Sequence, residues 1–114
     1  MKPVRQDLEI YKGETWEQSF KFSRKVGQIK QPIDLSGYTV KSQIRPADNS
    51  PILTAEFTVS REDAEGLVYI ALTSEQTASL PVGIQAWDLK LIDTNNVTNY
   101  WIKGQVVISG RVTE

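Results

Sequence analysis

The sequence predicts an all-β protein, a single antiparallel β-sandwich of about seven or eight short strands with one short helical turn near residues 74–80. Three observations predict it. Apolar residues recur with a period of two along most of the chain, turn-forming clusters interrupt that pattern about every 8–12 residues, and no strand alternates with a long helix as a parallel sheet would need.

The elements follow in order. Leu8 and Ile10 alternate with polar neighbours, and after a turn at Gly13 the residues Trp16, Gln18, Phe20 and Phe22 share one face of a second strand. Ser23 to Gln31 is polar, basic and glycine-containing, and reads as a loop. Pro32-Ile33-Asp34-Leu35-Ser36-Gly37 is a turn whose Asp34 and Ser36 can cap backbone amides and whose Leu35 can tuck beneath the sandwich. Tyr38, Val40, Ser42 and Ile44 then face inward. Beyond the turn from Pro46 to Pro51 the next inward row is Leu53, Ala55, Phe57 and Val59. Arg61 to Gly66 turns the chain again before Val68, Ile70 and Leu72.

Thr73 with Gln76 three residues later is a capping-box signature, so a helix is predicted over Ser74–Leu80, and Pro81 with Gly83 stops it. Trp87, Leu89 and Leu91 face in and Asp88 and Lys90 face out on the next strand. Asp93-Thr94-Asn95-Asn96 closes a hairpin, and the last strand, Thr98–Val112, carries Tyr100, Ile102, Val106 and Ile108 on its inner side.

At 114 residues the chain is expected to form one domain, 1–114, able to bury about 65% of its unfolded surface. A net charge of −1 supplies no basic field for nucleic acid or an anionic membrane. No segment approaches the roughly 20 apolar residues of a membrane span, and the start, MKPVRQDLEIYK, has no apolar run of a signal peptide, so an aqueous setting is expected.

Cysteine and histidine are both missing from the sequence. That leaves no thiolate metal site, no thiol nucleophile and no imidazole base. Lys41 and Ser42 are strand neighbours and point to opposite faces, so they cannot act as a Ser-Lys pair. Asp34, Asp88 and Asp93 come nearest to a glycosidase pair, but their positions read as a turn, a solvated strand face and a hairpin. Asn96-Val97-Thr98 matches a glycosylation acceptor and, without a secretion signal, reads as incidental. No catalytic residue, cofactor site or metal site is assigned, and the chain is expected not to be an enzyme.

Three stretches and a closing one carry a resemblance: GETWEQSFKF (13–22), PIDLSGYTVKSQIR (32–45), LTSEQTASLPVGIQAWDLKLID (72–93) and KGQVVISGRVT (103–113). In this order and spacing they resemble small β-sandwich proteins of tailed phages and prophages, a group that includes the collar protein fastening L-shaped tail fibres in some siphophages. The resemblance implies an Ig-like sandwich, a virion structural role at the phage tail, and assembly as a ring with other tail proteins. The matching residues (Trp16, Asp34, Gly37, Tyr38, Thr77, Leu80, Gly83 and Asp88) are mostly structural in character, so no binding site transfers onto them.

Trp101 stands in register with Asn99, Lys103 and Gln105, which predicts an exposed tryptophan of the kind that anchors interfaces, the alternative being a bulge near Gly104 that swaps the faces. With Lys103 and the outward Tyr11 it forms the expected protein-contact surface. The first strand (Asp7–Lys12) and the last (Asn99–Val112) are the expected partner-facing edges. The expected partners are tail tube, baseplate and fibre proteins and copies of the chain itself. Two other readings stay open: a capsid decoration protein, and a carbohydrate-binding module stacking sugars on Trp101 or Trp87.

Overall fold

The computed structural model describes residues 3–48 and 50–110. The chain starts with two short strands, β1 (Val4–Arg5) and β2 (Leu8–Tyr11). Then come β3 (Trp16–Lys21), β4 (Ser23–Val26), β5 (Ile29–Pro32) and β6 (Thr39–Arg45). Next are β7 (Ala55–Glu56) and β8 (Thr58–Glu62), a 3-10 turn at Asp63–Glu65, and β9 (Leu67–Leu72). Helix α1 (Ser74–Ala78), β10 (Gly83–Ile92) and β11 (Thr98–Ser109) complete it. The expected continuation of the last strand to Val112 lies outside the described residues.

The larger sheet runs β11, β10, β6, β7, with β1 and β2 both lying along the far side of β11. The smaller sheet is β3-β9-β8, and β4 and β5 form a separate hairpin. The alternation read from the sequence places the core between the two sheets. Leu8, Ile10, Ile44, Leu89, Leu91, Ile102, Val106 and Ile108 come from the larger sheet and Val68, Ile70 and Leu72 from the smaller. Leu35, Phe57 and Leu80 plug the core from the connections. Burying each such side chain stabilises the fold by about 1.5–3 kcal/mol before ordering costs.

Local chemistry fixes the turns. Asp34 Oδ1 accepts from the Ser36 amide at 2.9 Å and its hydroxyl at 2.7 Å, which holds Leu35 fully buried and aims Tyr38 into β6. The stretch is structural punctuation. Asp93 Oδ1 likewise accepts from the Asn95 and Val97 amides in the β10–β11 hairpin, where Asn96 takes a φ of 64°. Thr73 and Gln76 make the reciprocal capping box, and α1 ends at Ala78. Gly66, at φ 65°, ends the 3-10 turn where a Cβ would stand 2.4 Å from the Phe22 oxygen, so only glycine fits there.

Four expectations change. Ser23–Gln31 is not a loop: Phe22, held by its amide on the Gly66 oxygen, lets the β3 strand run on into β4, which folds back as β5 through Gly27 at φ 64°. Leu53 is not in the inward row but 46% exposed, because strand pairing to β6 starts only at Ala55. Arg61 and Glu62 still belong to β8, so the turn there is shorter. The sandwich is also not wholly antiparallel, since β1 and β2 run parallel to β11 in one constant register, from Val4 against Ile102 to Tyr11 against Ser109.

Candidate functional site

The outer face of the larger sheet is where the predicted contact residues were placed, and a single irregularity decides what it presents. The β10–β11 register passes from Leu89 opposite Ile102 to Lys90 opposite Tyr100, so Trp101 is an extra residue in β11, a β-bulge. Beyond the bulge the faces exchange. Tyr100, expected inside, turns outward beside Lys90 and is 38% exposed.

Trp101, expected on the wet face, is half-buried against the core. Its ring meets Phe22 edge-on at 4.9 Å and Tyr38 at 6.1 Å between centroids. The expectation of an exposed Trp101 is therefore corrected, and Tyr100 takes the outward aromatic position. The bulge falls among three bulky apolar residues in a row, Tyr100-Trp101-Ile102, which strict alternation cannot sort between two faces. That run was the available signal.

Lys103 does lie on the outer face. Its Nζ is 4.7 Å from the Tyr100 ring centre and 3.3 Å from Asp48, a geometry that fixes both the ring and the lysine. Tyr11 is 48% exposed at the end of β2, its hydroxyl donating to the Glu9 carboxylate. Tyr11 pairs with Ser109, six residues along β11 from Lys103, so the two stand about 20 Å apart. The structure does not bring Tyr11 and Lys103 into one site. Nor is β11 an edge, because it is flanked by β10 on one side and β1 and β2 on the other. The N-terminal strand is the edge there.

Two adjoining hollows of about 560 and 380 Å³ cross this face and share Asp48 and Lys103 in their walls. Pro3, Val4, Pro46, Ala47 and Ile84 give the larger one an apolar rim. The smaller is polar, with Arg45, Ser50 and Asp88. Asp88 is half-buried and its Oδ1 has no hydrogen-bond partner. Burial pushes its carboxyl above the ordinary range, and Lys90, Lys103 and Arg45 offset only part of that. Asp34, exposed in its turn, is held below the ordinary range by Ser36. The hollow can offer hydrogen-bond donors and acceptors to a partner's polar groups. Among the described residues there is no group of three or more acidic side chains, cysteines or histidines placed to hold a metal ion.

The two other tryptophans are structural. Trp87 is buried, stacks on Phe20 at 5.8 Å and donates from Nε1 to the Gln6 oxygen at 2.7 Å. Trp16 packs on Phe57 at 5.3 Å and donates to the Glu9 oxygen at 3.0 Å. Both indoles thus pin the N-terminal edge strand to the body, and neither presents a free ring face for a sugar.

Residues 2–109 of the chain match a family model, the LtfC-like β-sandwich domain. The chain belongs to this family. An LtfC-like domain is a phage tail-fibre-related β-sandwich, so the chain is a structural module of bacteriophage origin. No curated protein matches the chain. Trp16, Gly37, Leu80 and Gly83 of this LtfC-like domain all serve its packing or turns, as the sequence implied.

Proposed function

We propose that the chain is a virion structural subunit of the collar or baseplate type, which assembles around a phage tail and holds tail fibres there. The observation that carries this reading is the LtfC-like match across nearly the whole sandwich. The surface suits such work. Tyr100, Lys103 and Asp48 form a pre-ordered polar and aromatic patch beside the hollows, and Tyr11 offers a second contact at the far end of β2. Six residues of β3 lie at an open edge of the smaller sheet, where a neighbouring chain can add a strand. Repetition supplies the strength, since many modest contacts closed into a ring hold far better than one. In this reading the protein holds other proteins and performs no chemistry.

Gold-labelled antibody against the chain, imaged on purified virions, tests the proposal. Label around the tail or its tip is expected. Label on the head would replace it with the decoration reading, and virions without label would overturn both.

A further inference from the structure

The β4–β5 hairpin is the least self-sufficient part of the molecule. All four residues of β5 are exposed, as are Arg24 and Lys25 of β4, so these six side chains stand off the body. Isolated hairpins of this kind are marginal in water. The protein is elongated: the radius of gyration is 15.1 Å, against about 13 Å for a compact chain of this size, and the extents are 51 × 28 × 21 Å.

The hairpin's charge is one-sided. Residues 23–32 hold Arg24, Lys25 and Lys30 and no carboxylate, which leaves fourteen carboxylates against ten cations in the remainder of the chain. Lys25 and Lys30 stand directly opposite each other in the ladder. Like charges in that position destabilise a strand pair. A local rule broken on an exposed arm marks a place shaped by something outside the arm.

The opposite end of the molecule has the complementary character. Strand β3 starts beside α1 and ends at the hairpin, so about 20 Å of strand separates the two ends. At the α1 end, Thr77 Oγ1 accepts from the Gly13 amide and donates to the Glu14 oxygen, holding Glu14 close to the helix that carries Glu75. Glu9 is tied to Tyr11 in the same region. Glu9, Glu14 and Glu75 are exposed, as are Tyr11 at 48% and Val82 at 66%, and Lys12 beside Tyr11 offsets one of the three negative charges. Ile29, 65% exposed beside the hairpin turn, is the matching apolar group on the arm.

We infer that the basic β4–β5 hairpin of one copy docks onto the acidic α1 end of a second copy, using Arg24, Lys25 and Lys30 against Glu9, Glu14 and Glu75. This rests on the assembly reading above and supplies its contact. The two surfaces differ, so each copy gives an arm and receives one, which builds rings or open chains, the smallest closed form being a reciprocal pair. Salt weakens it, because the charges lie at the surface within a screening length of solvent.

Sedimentation velocity and native mass spectrometry of the intact chain at low and high salt test this. The wild type is expected to assemble at low salt and to dissociate as salt rises. A chain carrying R24E, K25E and K30E is expected to need on the order of a hundredfold higher concentration to assemble. Its melting temperature should match the wild type, because the three substituted side chains are exposed. A chain carrying E9K, E14K and E75K should fail alone in the same way. Mixing the two reversed chains restores opposite charges at every contact and should restore assembly.

Assembly by the arm-reversed chain at wild-type concentrations, or a mixture that stays monomeric, overturns the inference and leaves the tail assignment standing. Wild type that stays monomeric overturns it too, as does an arm that binds only a different virion protein. The antibody label on virions then judges the tail assignment separately.

Discussion

The indole Nε1 of Trp87 and the main-chain oxygen of Gln6 meet at 2.7 Å across 81 residues of sequence. Gln6 lies in the gap between β1 and β2, where its oxygen turns in over Gly104. A Cβ on residue 104 would stand 2.0 Å from that oxygen. One hydrogen bond and one missing methyl group together seat the edge strand.

Trp87→Phe removes the donor and also shrinks the buried indole to a phenyl ring, so a cavity cost adds to the lost hydrogen bond. Leaving the Gln6 oxygen without a partner costs about 1–3 kcal/mol. Gly104→Ala pushes the same oxygen away and is expected to cost as much. Urea unfolding of both and of the double variant should show less than additive losses, since both act on one contact. Equal stability of Trp87→Phe and wild type would contradict the role given to the indole.

Trp101→Ala and Tyr100→Ala separate the two sides of the bulge. Trp101 packs on Phe22 and Tyr38, so its loss should cost about 3 kcal/mol or more and lower the melting temperature by many degrees. Tyr100 faces solvent, and its loss should cost less than about 1 kcal/mol. Reversed magnitudes in thermal melts would put the bulge elsewhere.

Thr77→Val replaces a buried hydroxyl by a methyl of similar size. The Gly13 amide loses its acceptor at 3.0 Å and the Glu14 oxygen its donor at 2.8 Å, so a loss of about 1–3 kcal/mol is expected in chemical denaturation. The turn from β2 to β3 should show faster amide hydrogen exchange in this variant.

Asp88 and Asp34 should give opposite pH signatures. The folded state raises the Asp88 carboxyl through burial, so ionising it opposes folding. That cost is absent below the unfolded chain's value near about pH 4, grows as pH rises, and is complete above the folded value. Asp88→Asn is therefore expected to raise the melting temperature at pH 7 and to lose that gain in acid. Asp34 is lowered by Ser36, so its contribution is present above the ordinary value and lost as pH falls through the folded one. Asp34→Asn should give a small loss at pH 7 that vanishes in acid.

Much of the fold was legible because period-two burial is a strong signal when one face is dry. Leu8, Ile10, Val68, Ile70, Leu72, Leu89 and Leu91 all lie where alternation puts them. The Thr73–Gln76 box and the Asp34 turn were legible for a different reason, since both are held by hydrogen bonds between near neighbours. The hairpin at 23–32 was not, because its polar, exposed residues leave no apolar rhythm. The contact surface failed at Trp101 for a third reason: one inserted residue inverts every assignment beyond it, and alternation counts residues without knowing that one is skipped.

The constant register of β1 and β2 along β11 joins residues near the start of the chain to residues nearly a hundred positions away, from Val4 against Ile102 to Tyr11 against Ser109. Such contacts close the longest loop among the described strand pairings, so their closure carries the largest loop-entropy cost. Until they close, β11 is an unpaired border carrying Ile102, Val106 and Ile108. During that interval a second chain can seize it. Crowded production of many copies therefore makes this strand's seating the step at which productive folding competes with aggregation.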